Sequence, residues 1–204
     1  MRNPSTLVIL MLVGLAPTAR AQDIAAPLAP TAAPSPARLE LGITLLPMGL
    51  GRFHGTPGGM AFTADAAFSY GLGVSAAYVV LPGLSLGIAP QALFNVKPKA
   101  QNGAGAQEFD LMARAAYSRP VIDTVDLFVE VLPGYSLIHP PDGDTSRGLV
   151  VGFGGGAMIH LSDRWFTNLG LGYQVGLQKL PAKDMSADVN TRYLRVALGA
   201  GTRF

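Results

Sequence analysis

From Arg38 onward, apolar side chains recur with a period of two, the mark of strands rather than helices. Leu39, Leu41, Ile43 and Leu45 open the pattern, with Arg38, Glu40, Gly42 and Thr44 between them. Even positions 66–80 continue it, then even positions 84–96 beyond a Leu81-Pro82-Gly83 turn. Odd positions carry it through 109–117, 125–137 and 149–161, and through 165–177 after Ser162-Asp163-Arg164. Even positions return for 194–204. Eight strands are predicted. None of the apolar-face positions is charged, whereas the interleaved face holds Arg38, Glu40, Glu108, Asp110, Arg114, Asp126, Glu130, Arg195 and Arg203 among many glycines.

Which face looks outward decides the environment. A soluble barrel would hide the apolar face and need a Lys- and Glu-rich exterior, but the interleaved face is mostly Gly, Ala, Ser and Gln. Turned the other way, the apolar face meets lipid and the polar face lines the lumen. Strands in hydrocarbon satisfy their backbone groups only as a closed barrel. The expected fold class is therefore all-β, an eight-stranded antiparallel up-and-down transmembrane β-barrel over residues 38–204. Each run reaches the roughly 9–11 residues that cross a membrane when tilted, apart from a shorter first strand.

Aromatic positions agree with this reading. Tyr78, Tyr117, Trp165 and Phe204 have the apolar parity and lie beside short turns or the C-terminus. Phe94, Phe109, Tyr135 and Tyr173 share it near the longer connections. Two such girdles are what membrane interfaces select. The short turns fall at 81–83, 119–124 and 162–164, and the longer connections at about 47–63, 97–107, 138–147 and 179–190. Short turns face the periplasm in such barrels and long loops the outside, so both termini are expected in the periplasm.

Composition narrows the picture further. Only 14% of residues are charged, against roughly 25% for soluble domains. No run of about 18 apolar residues exists outside the N-terminus, which excludes a bundle of membrane helices. With no Cys, a disulfide scaffold, a thiolate zinc site and a lipoprotein anchor are excluded. Residues 1–21 read as a signal peptide: Arg2, an apolar Leu7–Ala16 segment, and an Ala19-Arg20-Ala21 cleavage site before Gln22. Losing Arg2 and Arg20 takes the 15 basic residues to 13, equal to the 13 acids. A nucleic-acid partner is not expected without a basic stripe. Residues 22–37, rich in Pro and Ala, read as a semi-rigid periplasmic lead-in.

The Tyr78–Gly87 stretch, the Asp163-Arg164-Trp165-Phe166 strand start and Phe204 resemble small Gram-negative outer-membrane barrels of the OmpA-transmembrane or opacity-protein type. The resemblance covers about 38–204 and implies a location in the cell outer membrane. Gly199 and Phe204 are similar to the C-terminal signal read by the outer-membrane assembly machinery, while Ala197 and Thr202 depart from its usual residues.

An eight-stranded lumen is about wide enough for side chains to fill, and charges inside it must be paired. Arg114 and Glu130 point inward on neighbouring strands, and Glu40, Arg195 and Arg203 are candidates for pairing where the barrel closes. With Asp110 they form the expected lumen charge network. The inward glycines leave room for water pockets. Three motifs invite other chemistry. Gly152–Ala157 matches G-x-G-x-x-A, but alternation continues through it and no acid follows near 172–178. His160-Leu161-Ser162 resembles the H-x-S pair of outer-membrane lipid A deacylases, yet His160 points inward and Ser162 sits in a turn. The acidic loop with His139, Asp142 and Asp144 lacks the remaining calcium-loop positions, and His54, His139 and His160 lack zinc spacing.

No catalytic residue, metal or cofactor is therefore expected. The expected role is structural, or surface interaction through the external loops. A narrow pore for ions or small solutes is the alternative, and a lipid-modifying enzyme the remote one. Expected partners are outer-membrane lipid, lipopolysaccharide and the assembly machinery, with the barrel itself a monomer.

Overall fold

The computed structural model describes residues 39–204 apart from 49, 56–60 and 181–186. The signal peptide and lead-in assigned to 1–37 lie outside the described residues. Alternating side chains build β1 (Leu39–Met48), β2 (Leu50–Gly55), β3 (Phe62–Asp65), β4 (Ser69–Leu81), β5 (Leu84–Ile88) and β6 (Gln91–Val96). Longer strands follow: β7 (Ala106–Ile122), β8 (Val125–His139), β9 (Ser146–His160), β10 (Trp165–Leu180) and β11 (Ala187–Arg203). Every pairing is antiparallel.

These segments form an eight-strand ring. β2 continues β1 along β11, and β5 and β6 together fill the place between β4 and β7. β1 closes on β11, with Leu39 and Phe204 exchanging backbone hydrogen bonds of 3.2 and 2.9 Å. Partners traced around the ring from Leu39 run Tyr78, Leu86, Ala115, Val131, Phe153, Tyr173 and Leu194, then return at Leu50. Returning farther along the same strand is the stagger that tilts strands in a closed barrel.

Burial follows the alternation. Ile43, Leu72, Leu111, Val129, Leu149 and Leu171 are exposed on the outside, while Glu40, Met112, Leu132, Gln174 and Tyr193 are buried inside. An apolar exterior wrapped around buried carboxylates and amides suits a hydrocarbon surrounding, not water. The Leu81–Leu84 hairpin turns on Pro82 and Gly83, whose φ of +80° is the left-handed geometry that favours glycine at that turn position.

Four expectations are corrected. The first strand is not short: β1 reaches Met48, and β2 takes the next place along β11, with Leu50 outward and Phe53 and Gly55 inward in the opposite parity. Much of the expected 47–63 connection is therefore strand, paired to β3. Val96 faces inward, since the register shifts between Leu93 and Val96 at Asn95, whose φ is +62°. Ala66 is also buried, held by its bridge to Pro98 and by its N–H bonding Gly51 O at 2.8 Å.

Candidate functional site

The lumen is stacked in layers along the strands. Beside the short turns, Arg203 Nε donates to Glu40 Oε1 at 2.7 Å across the β1–β11 seam. The same guanidinium contacts Met158 Sδ at 3.0 Å and lies 5.3 Å from the centre of the Phe166 ring. His160 Nε2 donates to Asp126 Oδ2 at 2.9 Å, and its Nδ1 faces Arg203 Nη1 at 3.4 Å, the tautomer that fits both contacts. Phe128, Met158 and Phe166 pack together around this layer.

In the next layer, Glu130 is held by two arginines. Arg114 Nε reaches Oε2 at 2.9 Å and Arg195 Nη1 reaches Oε1 at 2.7 Å, so each carboxylate oxygen has its own cation. The register makes this possible: Glu130 sits opposite Ala116 and Gly154, whose small side chains leave the interior to the arginines. Charges removed from water are tolerable only when paired in this manner. A cavity of about 50 Å³ borders this layer, lined by Glu40, Thr44, Arg114, Glu130, Asn168 and Arg195. That space is large enough to admit water.

The inward glycines open less space than the sequence suggests, because aromatic rings lie over them. The Phe128 ring covers Gly170 and the Phe166 ring covers Gly201. Farther along, Met112, Leu132 and Val150 form an apolar layer with Ala89.

Beyond it, Asp110 Oδ2 accepts from Gln91 Nε2 at 2.7 Å and Gln174 Nε2 at 2.9 Å. Glu108 Oε1 accepts from Ser136 Oγ at 3.1 Å, and Ser136 accepts from Gln178 Nε2 at 3.1 Å. The lumen then ends in a second apolar cluster that includes Leu46, Met48, Phe53, Leu93, Val96 and Ile138, with Phe53 edge-on to Tyr193 at 6.1 Å.

The structure thus brings Glu40, Arg114, Glu130, Arg195 and Arg203 into ion pairs. Arg195 joins Glu130 rather than Glu40. Asp110 is separate from that network, because its inward neighbours across the register are the neutral Gln91 and Ser136. Sequence reasoning overlooked the His160–Asp126 pair and the burial of Glu108, although parity already put all three side chains inside.

On the exterior, Tyr78, Tyr117, Trp165 and Phe204 are exposed at the short-turn end. Phe109 and Tyr135 are exposed at the other end, where Phe94 lies 5.8 Å from Tyr70 and Tyr173 lies 5.8 Å from Phe153. Gly199 faces Asn168, whose Oδ1 would lie 2.5 Å from any Cβ placed there. Ser162 Oγ accepts from the Trp165 N–H at 3.1 Å and shapes the turn, while His160 is engaged with Asp126. In the connection between β8 and β9, His139 Nδ1 lies 2.6 Å from Thr145 Oγ1, and Asp142 and Asp144 are exposed. Among the described residues, no three His, Asp or Glu side chains gather to hold a metal.

Solved structures share this architecture. Neisserial surface protein A is 11% identical and superimposes with a TM-score of 0.53, covering 81% of this chain and 97% of that one. The outer-membrane protein AlkL in lipid bilayers is 14% identical with a TM-score of 0.55, covering 90% and 97%. OprG from Pseudomonas aeruginosa is 11% identical with a TM-score of 0.52, covering 82% and 95%. The fold is that of a small outer-membrane β-barrel of the OmpA-transmembrane and opacity type. No protein-family model and no curated protein sequence matches the chain. At these identities the likeness concerns the fold, and it supports an outer-membrane location.

Proposed function

We propose that the chain is a closed outer-membrane barrel that acts through its external loops, as a structural or surface-interaction protein, and does not conduct through its lumen. One observation carries this reading: among the described residues, successive layers of buried side chains cross the lumen. The Glu130 ion pairs, the Met112–Leu132–Val150 layer and the cluster around Phe53 and Leu93 follow one another, with about 50 Å³ of cavity beside the ion pairs. A hydrated ion needs a continuous path, and two apolar layers oppose one. What remains accessible to a partner outside the membrane is the set of connections between strands.

Lipid and lipopolysaccharide fit the apolar exterior with its aromatic ends, and Phe204 at the closing seam suits recognition of the last strand during assembly. Planar-bilayer recording of the purified barrel tests the reading. Baseline current across the full voltage range is expected. Steady openings altered by Glu130→Ala or Arg114→Ala would instead establish the narrow pore.

A further inference from the structure

The outer half of the lumen has a charge problem that the inner half does not. Below the Met112–Leu132–Val150 layer, Glu40 and Glu130 are matched by Arg203, Arg114 and Arg195, and Asp126 accepts from His160. Above that layer stand two acids, Glu108 at 0% exposure and Asp110 at 3%, bonded only to Gln91, Gln174 and Ser136. Among the described residues neither acid makes a salt bridge.

Among the described residues, the polar atoms around them are also incompletely paired. Glu108 Oε2 and Asp110 Oδ1 have no hydrogen-bond partner. Three further buried oxygens in the same layer lack one: Gln178 Oε1, Thr191 Oγ1 and Tyr193 OH. These side chains are at most 1% exposed, so water cannot reach them from outside. They are brought together by the fold. Gln178 is tied to Glu108 through Ser136, and reaches it across β9 because Gly148 stands between them in the register. Thr191 and Gln178 both lean over Gly176, where a Cβ would collide with Thr191 Oγ1 and Gln178 Nε2. Tyr193 pairs in register with Gln174, which binds Asp110. Unpaired buried polar atoms are costly, and native proteins leave few of them. Two carboxyl oxygens with no base beside them, an amide oxygen and two hydroxyls stand without partners in one buried layer, a donor set that a positively charged ligand would satisfy.

We propose that this layer is an oxygen-lined site for one divalent cation of the calcium class, held by the Glu108 and Asp110 carboxylates with neutral oxygens from Gln178, Thr191 and Tyr193. Two carboxylates balance a 2+ charge. An all-oxygen, mixed carboxylate, amide and hydroxyl set is the donor chemistry of calcium, which accepts six to eight oxygens in flexible geometry. Magnesium demands a stricter octahedron and keeps several waters. The site is sealed by the Phe53–Tyr193 cluster, so the cation enters when the barrel folds or when its outer end opens.

The test uses the full barrel refolded in detergent with chelated buffer, then titrated with calcium and, separately, terbium. Terbium adds an optical readout, because Tyr193 is an aromatic donor beside the site. One equivalent of calcium is expected to bind and to raise the unfolding midpoint, and terbium is expected to show tyrosine-sensitised emission. Glu108→Gln and Asp110→Asn preserve shape, and each should weaken binding about 10-fold or more, the scale on which metal-site partners act. Asp142→Asn with Asp144→Asn, in the connection between β8 and β9, should leave binding unchanged. Folding of each variant is checked by its heat-modifiable gel migration. Calcium binding that survives Glu108→Gln and Asp110→Asn but falls with the loop variants would overturn the proposal. So would absence of binding by the refolded wild-type chain, the result expected if a proton shared between the two carboxyls neutralises them instead.

Discussion

Glu130 and Glu108 sit on adjacent strands of one barrel, both pointing inward, and are treated in opposite ways. Each oxygen of Glu130 is met by an arginine, at 2.9 and 2.7 Å. Glu108 has one serine donor and an oxygen with no partner. Position explains the difference. Glu130 lies opposite alanine and glycine, so long cations from β7 and β11 can converge on it. Glu108 lies opposite Leu93 and Ile138, and its inward neighbours are amides and hydroxyls. A shared inward parity therefore does not mean equal energetics: one acid locks the lumen, and the other, on the proposal above, awaits a counter-charge.

The largest effect expected is at the locked site. Glu130→Ala strands the guanidinium groups of buried Arg195 and half-buried Arg114, and a loss of about 3–5 kcal/mol is expected from denaturant unfolding in micelles. A cost below about 1 kcal/mol would mean that water already reaches the pair. Next comes the apolar layer dividing the two acids. Leu132, fully buried against Met112 and Val150, should cost about 2–5 kcal/mol as Leu132→Ala. That truncation should also let current noise appear in planar bilayers if the layer is a barrier. Glu108→Gln in chelated buffer should leave the unfolding midpoint unchanged or raised, since it removes a charge that has no base beside it; a large loss would erase the contrast with Glu130. The smallest effect belongs to the exposed Arg52–Asp65 pair at 3.6 Å, where Arg52→Ala should change stability by at most about 1 kcal/mol.

Much of this was legible in the sequence because strand parity has only two values and lipid permits no charge on one of them. The same rule placed Glu130, Arg114 and Glu108 inside. It could not foresee which inward acids would meet a base, since that depends on register between strands far apart in the chain, as with Arg195 and Glu130. Parity also failed wherever the outward-facing set changed from odd to even positions or back. Asn95 in its left-handed conformation turned Val96 inward, and β2 presents even positions outward where β1 presents odd ones, which hid β2 in the sequence. Large inward side chains escape the pattern in two ways: Phe53 and Tyr193 lie outside the predicted strands, in the 47–63 connection and just before the 194–204 run, while Leu93 sits on a face read as polar.

The inside-out arrangement itself can be measured directly. The sequence holds no cysteine, so spin labels can be placed one at a time along β8 from Leu127 to Leu132. Power-saturation EPR in bilayers should show high oxygen accessibility at Leu127, Val129 and Val131, and protection from both oxygen and aqueous relaxant at Phe128, Glu130 and Leu132. The opposite parity, with oxygen reaching the even positions, would contradict the whole account.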